Sequence, residues 1–159
     1  MSNEEAKGIQ EAKFFSEFVA ISGLPYDLST VEKRPTPEPD ILCVHRSYGP
    51  IAFELVELCD PTLAKVFAAP DDAPAYIRTS DPSPRIIGKK LTRQYQTPYP
   101  IELLIYTNGA IITPVNVIIP TILKCLHSQH PFRQIWLLSK KKVRNILSNL
   151  EASGVHLGA

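Results

Sequence analysis

The chain has 159 residues and 17.7 kDa, a length that suits one domain spanning 1–159. With 44% hydrophobic and 21% charged residues it has the material for a core, which excludes wholesale disorder. Its net charge of +1 conceals a division: residues 1–60 hold eleven Asp/Glu against five Lys/Arg, whereas residues 61–159 hold five against twelve.

Residues 4–22 have helical periodicity, with Phe14, Phe15, Phe18 and Ile21 on one arc and Gly23-Leu24-Pro25 as the stop. Glu11 falls between Phe15 and Phe18 on that wheel. A carboxylate there needs a partner, or an edge position that reaches water. A polar, proline-broken stretch, Asp27–Pro39, follows as a connection. Ile41–His45 and Ile51–Leu58 read as a hairpin around the turn-prone Ser47-Tyr48-Gly49-Pro50. The second strand is apolar on both faces, as a covered central strand should be, apart from Glu54. Asp60 as N-cap and Pro61 at the first position start a helix that runs to Ala69.

Residues 70–84, with four prolines and three aspartates, read as an exposed loop. Arg85–Tyr95 carries Arg85, Lys89, Lys90 and Arg93 with no acid; it is the expected polyanion contact, against the alternative of a solvated basic face. Ile101–Tyr106 reads as a third strand, Asn116–His127 as a crossover helix and Gln134–Leu138 as a fourth strand. A helix over Lys140–Leu150 closes the chain, its run Lys140-Lys141-Lys142-Val143-Arg144 being a solvated face or a phosphate contact. Strand, crossover helix and strand imply a parallel, right-handed pairing joined to the antiparallel hairpin. The expected class is therefore α/β with a mixed sheet.

Several chemistries find no support. Cys43, Cys59 and Cys125 lie far apart in apolar contexts and read as buried thiols. His45, His127, His130 and His156 lack mutual metal-ligand spacing, and no Gly-rich phosphate loop or nucleophile elbow is present. The apolar stretch Ala110–Leu126 is interrupted by Pro114, Asn116, Pro120 and Lys124, so no membrane span is expected. An acidic Met-Ser-Asn-Glu-Glu start, unlike a secretory signal, leads to the expectation of a cytoplasmic location.

Pro39-Asp40 opens the first hairpin strand and Glu54 sits inside the second, so their pairing can bring two carboxylates together. Such an oxygen-only pair suits Mg2+ or Mn2+, which favour carboxylates, waters and phosphate oxygens. Glu11 can supply a further ligand or orient a metal-bound water. An acidic, cation-holding end and a basic, polyanion-holding end fit a metal-dependent enzyme acting on nucleic acid.

Glu11, Pro39-Asp40 and Ile51-Ala52-Phe53-Glu54-Leu55-Val56-Glu57, followed by helix, strand, helix and strand, together resemble the PD-(D/E)XK restriction-endonuclease-like nuclease superfamily over residues 9–139. The resemblance implies a four-stranded mixed sheet flanked by helices and metal-dependent phosphodiester hydrolysis. It implies Asp40 and Glu54 as metal ligands, with the Leu55 carbonyl as a third. Nucleic acid, DNA ahead of RNA, is the implied partner, and a homodimer suits a nuclease that cuts both strands. One departure stands out: Val56 occupies the place of the family's water-orienting lysine. Either the cation comes from elsewhere, with Lys65, Lys89 and Lys90 as candidates, or the chain is a catalytically inactive nuclease-like binding or assembly module. Glu57 faces away from Glu54 in a regular strand and does not fill the gap.

Overall fold

Ser2 accepts the Glu5 amide at 3.1 Å while Glu5 accepts the Ser2 amide at 2.8 Å, a reciprocal cap that starts helix α1 (Asn3–Ser22). Gly23 ends it at φ 68, a left-handed conformation that costs glycine little. The computed structural model, which describes residues 1–126 and 129–148, carries this helix across one face of a six-stranded open sheet.

The strands are β1 (Tyr26–Lys33), β2 (Ile41–His45), β3 (Gly49–Glu57), β4 (Ile101–Tyr106), β5 (Phe132–Ser139) and β6 (Lys142–Asn145), lying in that order. β1, β2 and β3 pair antiparallel, β3, β4 and β5 parallel, and β6 returns antiparallel to β5. The architecture is α/β with a mixed sheet, as the sequence implied. Helices α2 (Pro61–Ala68), α3 (Ser83–Thr92) and α4 (Val115–Cys125) connect the later strands.

Alternation along β3 divides the core. Phe53 and Leu55 face α1, where Phe15 and Phe18 are fully buried and Phe15 meets Phe53 edge-on at 4.9 Å. Leu103, Ile105, Ile135 and Leu137 face the opposite way, beneath Ile87 and Leu91 of α3 and Ile118 and Ile122 of α4. Ile21, expected on the buried arc, is 38% exposed.

The count of four strands is corrected to six, and both additions are edges. β1 occupies part of the expected connection Asp27–Pro39. Its composition is polar because most of it faces water, and its pairing is broken by an irregularity between Asp27 and Glu32. There the Thr30 hydroxyl accepts the Val44 amide at 2.9 Å, replacing a ladder bond. β6 replaces the start of the expected helix Lys140–Leu150. Lys140 and Lys141, at φ 50 and 62, form a tight turn without the usual Asn or Gly, so the lysine run resembled a solvated helix. Helical backbone begins only at Ile146, and residues 149 and 150 of that expected helix lie outside the described residues. Among the described residues, no helix is long and apolar enough to cross a membrane.

Candidate functional site

Ile41 pairs with Phe53, so the residue before it, Asp40, arrives opposite Glu54 at the point where β2 begins. Beyond this point β3 has an unpaired edge. Asp40 covers it: its Oδ2 accepts the Leu55 amide at 2.9 Å. The amide and carbonyl of one strand residue face the same side, so the Leu55 carbonyl is also directed toward Asp40.

Glu54 projects to the α3 side of the sheet and is 2% exposed. The Lys90 ammonium, presented by α3, lies 3.4 Å from Oε1. Burial pushes the Glu54 carboxyl up to about 8, with the neighbouring Asp40 adding to the rise and Lys90 opposing it. Oε2 is buried without a hydrogen-bond partner, as is the Tyr95 hydroxyl. The two groups are neighbours: after burial, the charge of Glu54 and a side-chain contact with it raise the Tyr95 pKa, and Tyr95 in turn opposes the rise at Glu54, although the contact falls outside normal hydrogen-bond geometry.

Glu11 is 3% exposed and approaches the same corner from α1, its Oε1 lying 3.3 Å from Lys7 Nζ. Its pKa is raised by burial and then by the charge of Asp40, with Lys7 and Lys33 pulling the other way. Burial alone depresses Lys7, but the charges of Glu11, Asp40 and Glu54 outweigh it and leave its pKa raised. The structure thus places Asp40 within electrostatic reach of both Glu11 and Glu54, with Lys7 beside Glu11 and Lys90 beside Glu54. Among the described residues, no three acid, His or Cys side chains converge tightly enough to form a metal-holding group. The Asp40–Glu54 pair is the tight element, and Glu11 is its neighbour.

Of the four basic residues expected to meet polyanions, Lys90 alone turns inward; Arg85, Lys89 and Arg93 are exposed, and the Arg93 guanidinium lies 5.4 Å above the Tyr95 ring. Lys65 is exposed on α2. Val56 packs against the apolar layer under α3 and α4. Glu57 faces the α1 side, where its carboxylate accepts the Gln10 amide at 2.8 Å. His45 is buried, with Nδ1 accepting the Ser47 and Tyr48 amides. His130 Nδ1 accepts the Phe132 amide; His127 and His156 lie outside the described residues. Cys43 is buried and Cys59 and Cys125 are half-buried, all three as free thiols.

Lys7, Tyr95 and a further buried acid, Glu102, were not expected from the sequence. The signal for Glu102 was the same as for Glu54, a carboxylate inside the apolar run Ile101–Tyr106. The outcomes differ. Glu102 Oε1 accepts from Trp136 Nε1 at 2.8 Å and Tyr26 at 3.5 Å, and Oε2 accepts from Arg133 Nε at 3.0 Å. Both of its oxygens are satisfied within the fold, whereas Glu54 keeps one free. Comparison of the chain with protein-family models, with curated proteins and with solved structures finds no match.

Proposed function

We propose that the chain is a metal-dependent nuclease-like domain of restriction-endonuclease-like fold, in which Asp40 and Glu54 hold Mg2+ or Mn2+ and Lys90 supplies the ammonium that Val56 cannot. The observation that carries this reading is the Glu54 carboxylate: buried, set beside Asp40 and Lys90, and left with one unpartnered oxygen. A buried acid is ordinarily satisfied by its own fold, as Glu102 is. Two carboxylates with the Leu55 carbonyl fit Mg2+, which keeps several waters and takes substrate phosphates as its remaining ligands. When bound, the metal lowers the pKa of an attacking water and offsets charge on the phosphate.

The protein's own groups have separable tasks in this reading. The Leu55 amide fixes Asp40. Glu54 surrenders its proton to become a ligand, and the Lys90 ammonium beside Oε1 favours that ionisation. Lys90 is also placed to orient a water at the same carboxylate. Glu11 and Lys7 close the corner, and exposed Arg85, Lys89 and Arg93 offer contacts to the backbone of nucleic acid, DNA ahead of RNA.

The second reading is a non-catalytic module, favoured by the same Lys90 contact if the ammonium serves as a permanent counter-ion that neutralises Glu54. Cleavage of supercoiled plasmid and of labelled oligonucleotides in Mg2+ or Mn2+ separates the two. The nuclease reading predicts cleavage by the parent, its loss in Asp40→Asn with the circular dichroism unchanged, and a loss of about 100-fold or more in Lys90→Met. Val56→Lys in the Lys90→Met background should restore part of it. Cleavage that persists in Asp40→Asn contradicts the reading, and inertness of the parent on every substrate favours the module.

A further inference from the structure

A cavity of about 570 Å³ opens where β4 and β5 end, between α1, the segment Thr107–Pro114 and the β5–β6 turn. It lies apart from the acid pair and is of a size that holds a small ligand. In parallel α/β sheets, ligands settle outside the carboxyl ends of the strands. Here Thr107 follows β4 and Ser139 ends β5, and their hydroxyls are joined at 2.7 Å across the floor.

The lining has two characters. Lys13, Lys140 and Lys141 bring three positive charges, and Glu17, the acid in the wall, is paired with Lys141 at 2.6 Å. The local excess is therefore two positive charges, which matches a phosphate monoester near its dianion. Lys140 and Lys141 both hold left-handed backbone, a conformation disfavoured for residues with a Cβ, and both line the rim. The other wall is apolar and aliphatic: Ile111 and Val115 contribute to it, and Ile112 is 64% exposed beside the opening, while Phe14 is buried and stacked on Tyr106 at 4.3 Å. The segment Thr107–Pro114 thus keeps a large apolar side chain in water next to a cationic rim.

From this pairing of an apolar wall with a strained lysine turn, we infer that the cavity binds a phosphorylated small molecule with a flat apolar portion, the class of a mononucleotide. The phosphate meets Lys13, Lys140 and Lys141, and the base lies against Ile112. This site is independent of the nuclease reading.

Isothermal titration of AMP, adenosine and inorganic phosphate into the full chain tests the inference. AMP should bind saturably and more tightly than either fragment, and should weaken with salt. The variant Lys140→Asn/Lys141→Gly places the residues this turn prefers at the two left-handed positions, so it should fold at least as well as the parent. It should weaken AMP binding about tenfold or more through loss of two charges. Asp40→Asn should bind AMP as the parent does. Absence of saturable AMP binding at millimolar concentration, equal affinity in the turn variant, or loss of binding in Asp40→Asn would each overturn the inference. None of these readouts involves cleavage, so the nuclease reading stands or falls separately.

Discussion

Glu54→Gln tests whether the central strand carries an acid at thermodynamic cost. Glutamine has the shape of a protonated glutamate and cannot ionise. The folded parent holds the Glu54 proton up to about 8, whereas the unfolded chain releases it near the ordinary value of 4.5. Between those values the folded state binds more protons than the unfolded one, so this group makes stability fall as pH rises. The limiting slope is about 1.4 kcal/mol per pH unit, which over the window sets a ceiling on the order of 4–5 kcal/mol. Half of that ceiling, about 2 kcal/mol, is the expected relative gain of the variant between pH 5 and pH 8.5. Urea unfolding in metal-free buffer reads it directly. With a slope of about 2 kcal/mol per molar urea, the midpoint difference between variant and parent should grow by about 1 M across the range. Other shifted groups, including Glu11 and Asp60, are common to both proteins and cancel in the difference. Parallel stability curves would refute the reasoning, because they would mean that Glu54 is ionised in the folded chain without penalty.

Asp60→Ala removes acceptors for the Ser80 and Thr62 amides, both at 2.9 Å, and should cost about 1–2 kcal/mol in urea unfolding. Those hydrogen bonds, the Ser80 amide foremost, hold the Asp60 pKa below its ordinary 3.8, so its contribution is present above that pH and lost as pH falls through the folded value. The gap between parent and variant should close in acid; a gap constant down to pH 2 would contradict this account. Glu102→Ala strands the Trp136 indole, the Tyr26 hydroxyl and the Arg133 guanidinium, and should cost on the order of 3–5 kcal/mol. Trp136 is the only tryptophan in the sequence, so its fluorescence should shift to the red in the folded variant; a loss below about 1 kcal/mol would show that the network is dispensable.

The parts of the fold legible in the sequence were those with a buried face. Phe14, Phe15 and Phe18 declare the inner side of α1, and Ile51–Leu58 and Ile101–Tyr106 declare covered strands, because apolar periodicity records burial. The edge strands left no such record. β1 is polar because water covers most of it, and β6 is a short basic segment whose turn uses Lys140 and Lys141 instead of Asn and Gly. At the site, Glu54 was legible as a charge in an apolar strand, and Asp40 through its place at the hairpin start. The register of a hairpin then fixes their approach. Lys90 was legible only as one of three candidate cations: its choice depends on which face of α3 meets the sheet, a tertiary fact. Tyr95, in the loop after α3, carries no local mark of its approach to Glu54. Glu102 shows that an apolar strand bearing an acid is an ambiguous sign, resolved by counting hydrogen bonds to each oxygen.

The Asp40–Glu54 pair is tested most directly as a cation site by isothermal titration of Mn2+ into the parent and into Glu54→Gln. Because Glu54 carries a proton up to about 8, binding should release it, so the measured heat should vary with the ionisation enthalpy of the buffer and the affinity should rise from pH 6 to pH 8. Saturable, proton-linked binding in the parent that disappears in the variant is the predicted result. Absence of binding in the parent, or equal binding in both proteins, would contradict the claim.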